Sequence, residues 1–352
     1  MLKIKINNID LEAEDGETIH SVAARAGISI PVLCHKDGVE HYTSCMVCMV
    51  RDKRTGSFIP SCTALVQDGQ DIDASGDEVI EIRKKAVELL LSEHRAECEA
   101  PCRIVCPAGY NIPLMNRLLA AGNYRKAIEM ILSELDSEDV RCHNCQGYCE
   151  NACRRKKIDK QISIRNIKIF ISRNLDFEGG MDHLVPLSDY QDLKKRFSSR
   201  LGRLEDSELQ EWLKECDGAD KRYSEIADFD SACEEARNCM HCDCRAAGDC
   251  RLRDLAQAFS IKDKGGKVVN APAVKKINHQ TGLIFENAKC IKCGLCVRVC
   301  EDKTDEPALC FINRGFISII SEPLTDDFVS ISGLTAEKCI EVCPTGALSR
   351  FK

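Results

Sequence analysis

The chain is 352 residues long, holds 24 cysteines and carries a formal net charge of −7, with aromatic residues at only 5%. The acidic balance excludes a nucleic-acid groove, and no apolar run approaches the roughly 20 residues that a membrane span needs. The N-terminal Met-Leu-Lys-Ile-Lys-Ile-Asn-Asn lacks the apolar core of a secretory signal, so the chain is expected in the cytoplasm, where such cysteine spacings read as metal ligands.

Residues 1–80 open with alternation: Leu2, Ile4 and Ile6, a turn at Asn7-Asn8, then Ile9, Leu11 and Ala13. The pattern predicts a β-hairpin. A short helix from about Thr18 to Ala26 follows, closed by Gly27. Residues 81–175 read as helical. Val87, Leu90 and Leu91 share one face; Leu114, Leu118 and Leu119 form a second; Gly122 breaks it; and Ile128, Ile131, Leu132 and Leu135 form a third. Residues 176–232 form a helical linker, with Ser188-x-x-Gln191 and Ser207-x-x-Gln210 as capping boxes. Leu193, Phe197, Leu201 and Leu204 stripe its first helix, and Leu209, Trp212, Leu213 and Cys216 its second. Residues 233–260 are cysteine-rich, and 261–352 read as a compact α+β domain. The expected class is α+β and multi-domain, with thin apolar cores that bound metal would hold together.

The first ligand set is Cys34-x10-Cys45-x2-Cys48-x13-Cys62. Four thiolates, two per iron, suit a [2Fe–2S] cluster. Preceded by strand, strand and helix, this spacing resembles the β-grasp N-terminal domain of the large iron–sulfur subunit of respiratory complex I. The module also occurs in iron-only hydrogenases and NAD-linked formate dehydrogenases.

The second region holds His94-x3-Cys98-x3-Cys102-x3-Cys106-Pro107, then Cys142-x2-Cys145-x3-Cys149-x3-Cys153. With Asn111-Ile112-Pro113 and Ile162-Ser163-Ile164-Arg165, it resembles the helical double-cluster domain of the glutamate synthase small subunit and dihydropyrimidine dehydrogenase. The resemblance implies two interlocked [4Fe–4S] clusters, one on Cys98, Cys102 and Cys153, the other on Cys106, Cys145 and Cys149. Each then needs a fourth ligand. His94 stands near the place of the family's absent first cysteine, with a solvated surface histidine as the other reading. For the second cluster the family's Gln or Glu falls near Lys168, which cannot bind iron when protonated. Cys142 is the substitute, or an unligated neighbour.

Cys239-x2-Cys242-x-Cys244-x5-Cys250 gathers four thiolates that suit [4Fe–4S] or structural zinc. Its setting resembles a segment that follows the flavin domain in glutamate-synthase-like oxidoreductases. Cys290-x2-Cys293-x2-Cys296-x3-Cys300, with the distant Cys343-Pro344, resembles a bacterial ferredoxin, implying a [4Fe–4S] site on Cys290, Cys293, Cys296 and Cys343. A second ferredoxin site is broken, because Gly333 and Ala336 stand where its cysteines would be. Cys300, Cys310 and Cys339 are read as relics, and Cys216 and Cys233 as ordinary buried thiols.

These readings add up to one [2Fe–2S] and three to four [4Fe–4S] clusters, with no flavin on the chain and no catalytic residue assigned. No Gly-x-Gly-x-x-Gly follows a strand, so no dinucleotide fold is expected. The resemblances imply an electron-transfer subunit of a cytoplasmic NAD(P)H-linked complex of the kind found in anaerobes, electron-bifurcating ones included. One partner would be a flavoprotein NAD(P)H dehydrogenase. The other would be a hydrogenase, formate dehydrogenase, aldehyde oxidoreductase or ferredoxin. The competing readings are a metal-stapled sensor or interaction protein and a self-contained reductase with an unrecognised flavin site.

Overall fold

The computed structural model describes residues 1–40, 42–94, 97–134, 142–174, 206–216, 221–246, 248–261, 273–301, 309–325, 328 and 330–350. The expected first linker helix, with Ser188, Gln191, Leu193, Phe197, Leu201 and Leu204, lies outside these residues, as does Leu135. The chain divides into two compact units. One comprises 1–94, 249–271 and 278–349, the other 95–248, 272–277 and 350–352.

In the first unit, β1 (Leu2–Ile6) and β2 (Ile9–Ala13) pair antiparallel in the register Leu2↔Ala13 to Ile6↔Ile9. Asn7 and Asn8 take φ of 52° and 67°, the left-handed pair that a two-residue hairpin turn demands. Helix α1 (Ile19–Arg25) starts where the Thr18 side chain accepts the Ser21 N–H, and it ends at Gly27 with φ 73°. Strands β3 (Met49–Asp52), β4 (Phe58–Pro60) and β5 (Gln70–Asp73) complete a mixed sheet of order β2-β1-β5-β3-β4, in which β1 and β5 run parallel. Ile4, Ile6, Val50 and Ile72 meet Ile19 and Val22 of α1 in one core. Each such burial contributes about 1.5–3 kcal/mol. Helix α2 (Asp77–Ser92) follows an Asp73 turn, whose carboxylate accepts the N–H groups of Ser75 and Gly76.

The second unit is helical: α3 (Pro101–Ile104), α4 (Ile112–Ala120), α5 (Tyr124–Glu134), α6 (Tyr148–Asn151), α7 (Ile164–Arg173), α8 (Leu209–Trp212) and α9 (Phe229–Arg237). Asn111 caps α4 by accepting the Leu114 N–H, and Gly122, with φ 72°, turns the chain into α5. Met115 and Leu119 of α4, Met130 and Ile131 of α5, Ile167 and Ile171 of α7 and Phe229 of α9 share one core. Leu132 points outward and is half exposed. No side chain caps α8, so the expected Ser207 capping box does not form there.

Back in the first unit, α10 (Arg251–Ala258) begins at Cys250. Strand β6 spans Lys275–Asn278. Then come β7 (Leu283–Glu286), α11 (Leu295–Glu301), the β8–β9 hairpin (Cys310–Ile312, Ile319–Ser321), α12 (Gly333–Val342) and β10 (Leu348–Arg350). Helices α11 and α12 pack together. Among the described residues no helix is long and apolar enough to cross a membrane.

Candidate metal centres

In the first unit, Cys34, Cys45, Cys48 and Cys62 are all buried. Cys48 Sγ lies 3.3 Å from Cys62 Sγ, and Cys34 is in hydrogen-bond contact with both Cys45 and Cys62. Backbone N–H groups converge on the sulfurs: Ser44 and Cys45 on Cys34, Val47 on Cys45, and Cys62 on Cys48. Met46 adopts φ 56° to turn the Cys45-x2-Cys48 loop, a strained geometry for a non-glycine residue. The four thiols titrate against one another. Cys34 is pulled far down by its bonds to Cys45 and Cys62, and Cys48 is pulled down to about 7 by Cys62. Cys45 and Cys62 are pushed up by those same contacts. A compact thiolate set fringed with backbone donors matches the chemistry of an iron–sulfur site.

The same unit holds Cys290, Cys293, Cys296 and Cys343. Lys292 takes φ 53° and donates its N–H to Cys290 Sγ at 3.4 Å. Gly294, with φ 74°, passes so close to Arg298 that an added Cβ would lie 2.6 Å from Nη1. Burial, then neighbouring thiols including Cys343, pushes Cys290 and Cys293 up to about 12. Cys296 rises for the same reasons, with Cys293, Cys290 and Cys343 as its neighbours. Thr345 Oγ1 donates to the Lys289 carbonyl at 2.8 Å and lies 3.7 Å from Cys343 Sγ. Cys300 and Cys339 sit 3.3 Å apart, and Cys339 also donates to the Cys296 carbonyl. Cys310 is half-buried on β8.

The two sets are neighbours within this unit. Cys34 is among the charged groups acting on Cys293. Arg298 donates to the Cys293 carbonyl at 2.8 Å while its guanidinium stands 5.7 Å from the Tyr42 ring, and Lys36 pairs with Glu341 at 2.6 Å.

His94 and Cys250 also belong to the first unit, whereas Cys98, Cys102, Cys153, Cys239, Cys242 and Cys244 belong to the second. His94 Nδ1 is buried without a hydrogen-bond partner. Burial, then Lys289, holds its pKa down to about 4.

In the second unit, Cys106, Cys142, Cys145 and Cys149 line one cavity of about 300 Å³, with Tyr110 and Lys168. That is far above the ~10–15 Å³ that admits a water. Arg165 fastens the Cys142 turn by donating Nε–H to the Cys142 carbonyl at 2.7 Å and Nη2–H to that of His143. Lys168 is buried, with Nζ 4.8 Å from the Tyr110 ring centre. Burial would lower its pKa, but Cys142, Cys106 and Cys149 outweigh that and raise it. Burial pushes Cys149 up to about 12 against the pull of Lys168, and raises Cys142 likewise. A four-thiol cavity lined by two cations, Arg165 and Lys168, fits an anionic cluster. Sequence reasoning discounted Lys168 as a ligand but missed its place as a buried cation of this cavity; its position where the related family carries a ligand was the signal.

Cys216 and Cys233 spend their S–H groups on backbone carbonyls, Cys216 on Asn238 and Cys239, and Cys233 on Ala120. Among the described residues no three His, Cys, Asp or Glu side chains stand in the closed arrangement that one metal ion requires.

Residues 1–76 match the 2Fe-2S iron-sulfur cluster binding domain family, and residues 81–179 match dihydropyrimidine dehydrogenase domain II, 4Fe-4S cluster. The chain is 25% identical over 164 residues to a component of the NADH-quinone oxidoreductase of Rhizobium meliloti, covering 43% of this chain and 19% of that protein. It is 28% identical over 157 residues to the gamma chain of the NAD-reducing hydrogenase HoxS of Cupriavidus necator, covering 42% of this chain and 64% of that protein. A solved NAD+-reducing [NiFe]-hydrogenase chain shares the fold at a TM-score of 0.52 and 15% identity, over 99% of this chain and 87% of that one. The match thus spans from a fifth to just under two thirds of the length of these two relatives.

Proposed function

We propose that this chain is the electron-conducting iron–sulfur subunit of a NAD(P)H-linked oxidoreductase complex. The observation that carries the reading is the adjacency, inside one unit, of the Cys34 and Cys293 segments, joined by Arg298 to Tyr42 and Lys36 to Glu341, with a domain of a 4Fe-4S family on the same chain. Cluster domains in series make sense for transport, whereas a sensor needs one labile cluster. Cys34, Cys45, Cys48 and Cys62 would hold the [2Fe–2S] cluster in a β-grasp ferredoxin domain. Cys290, Cys293, Cys296 and Cys343 would hold a [4Fe–4S] cluster in a ferredoxin-like domain. Cys106, Cys142, Cys145 and Cys149 would hold another. Such clusters supply one-electron transfer. The protein's part is to shield them, aim N–H donors at them and set the local charge. A flavoprotein that oxidises NAD(P)H would be the electron source and a second redox enzyme or a ferredoxin the sink, in the cytoplasm; the NAD-linked complexes to which the relatives belong support this.

The test is reduction by a partner. Anaerobically purified chain should contain about 14–18 irons, from one [2Fe–2S] and three or four [4Fe–4S] clusters. Alone it should bind no FAD or FMN and should not oxidise NADH. With the flavoprotein that co-purifies from the native host, NADH should bleach its visible absorption. A colourless zinc protein, or stoichiometric flavin on the isolated chain, overturns the reading.

A further inference from the structure

The second unit holds cysteines outside the cavity just described, and four of them converge from distant parts of the sequence. Cys102, Cys153 and Cys239 pack against the same apolar core. Arg155, two residues after Cys153, donates Nη1–H at 2.7 Å to the carbonyl of Asn238, the residue before Cys239. The charged neighbours of the Cys102 thiol include Cys239, Cys153 and Cys242. Those of Cys242 include Cys239 and Cys153.

The Cys239-x2-Cys242 turn repeats the loop geometry of Cys290-x2-Cys293. In each, the residue just before the second cysteine is left-handed: His241 at φ 46° and Lys292 at φ 53°. In each, that residue's backbone N–H is bonded to the sulfur of the first cysteine. The left-handed residue folds the loop back so that both thiols leave from the same side with an N–H aimed at sulfur. That is the local geometry a cluster-binding loop needs.

Asn116 supplies a separate observation. It lies on α4, wholly buried, and among the described residues the Cys239 sulfur is the one partner its side-chain amide has. An amide N–H aimed at a cysteine sulfur in a buried setting is the donor that an iron-bound thiolate would use.

We propose that Cys102, Cys153, Cys239 and Cys242 hold one [4Fe–4S] cluster, with Asn116 as its side-chain donor. Two thiolates come from the segment on either side of the cysteine-lined cavity and two from the turn after α9. The run Cys239 to Cys250 is then divided between sites, and Cys102 and Cys153 need no histidine to complete their set. The inference rests on the reading that the chain carries iron–sulfur clusters.

Iron counting tests it. Cys102→Ser and Cys239→Ser are made singly and together in the full chain, purified anaerobically, and assayed for iron and sulfide. On the proposed division, the double variant loses about four irons, no more than either single variant. Loss of about eight irons from the double variant, with four from each single, assigns the two cysteines to different clusters and overturns the proposal. An iron-free parent chain defeats the wider reading instead. If the double variant does not accumulate, EPR of Cys153→Ser and Cys242→Ser decides. Both should alter the same signal, and Asn116→Leu should shift the midpoint potential of that signal while the [2Fe–2S] signal stays intact. Two different signals, or no shift from Asn116→Leu, overturn the assignment.

Discussion

Lys168 offers the sharpest handle on the cysteine-lined cavity. Its ammonium is buried against Tyr110 and hydrogen-bonded to Cys142, and the cysteine sulfurs around it raise its pKa against the effect of burial. A reduced cluster carries one more negative charge than an oxidised one, so a fixed cation stabilises the reduced form and raises the potential. A unit charge roughly 6 Å away at an effective dielectric of about 20 interacts by about 3 kcal/mol. At 59 mV per tenfold for one electron, with 1.36 kcal/mol per tenfold, that corresponds to roughly 130 mV. Lys168→Met keeps the apolar stem and removes the charge. The expected outcome is a drop of about 130 mV in the midpoint potential of one [4Fe–4S] centre, the others unmoved. An anaerobic redox titration followed by EPR measures it. If every potential stays within about 20 mV of the parent, the cation is not beside a cluster and the assignment of the cavity fails.

Three further outcomes follow from other contacts. Glu215 is fully buried between Lys275 and Arg245, so Glu215→Gln leaves two buried cations facing a neutral amide and should cost about 3–5 kcal/mol. Lys275→Met should cost far less, because Arg245 still pairs with Glu215 and the methionine packs on Trp212; chemical denaturation at matched iron loading compares them, and equal costs refute the argument. Cys293→Ser should remove about four irons, whereas serine at Cys300, Cys310 or Cys339 should leave the iron count unchanged; loss of iron from Cys339→Ser would expose a live second site. Thr18→Ala removes the cap of α1 and should lower stability by about 1 kcal/mol in a denaturant titration, with no change in the [2Fe–2S] spectrum.

Local structure was legible wherever one short segment decides it. Alternation around Asn7-Asn8 gave the hairpin because two left-handed residues can only close a tight turn. Thr18 and Gly27 marked a helix because capping and helix ending are local physics. Strands β3, β4 and β5 were not anticipated. Each is three or four residues long and interrupted by ligand loops, too short for a period to show. Ligand grouping in the second unit was the hardest to read. Cys242 and Cys244 are separated by one residue, yet the charged neighbours of Cys242 include Cys153, while the N–H of Cys244 donates to the Cys98 carbonyl. Spacing reports which thiols are near in sequence. On the proposed grouping, which of them would share a metal follows from the packing of α4 against α9, which no spacing encodes.

Contacts in the first unit tie the two proposed cluster sites together mechanically. Two contacts join the loop after Cys34 to the C-terminal ligand segment. Lys36 with Glu341 is an exposed pair, and such pairs contribute no more than about 1 kcal/mol. Arg298 matters more. Its guanidinium is held by the Cys293 carbonyl on one side and faces Tyr42 on the other, and the left-handed Gly294 leaves the room it occupies. A cation–π contact of this kind contributes about 0.5–2 kcal/mol, and the charge-assisted hydrogen bond about 1.5–3. Arg298 therefore fixes the backbone of Cys293, a proposed ligand, against Tyr42. Electron transfer between two clusters needs a separation that does not fluctuate. If the two proposed sites carry clusters, Arg298, Gly294 and Tyr42 would supply that rigidity.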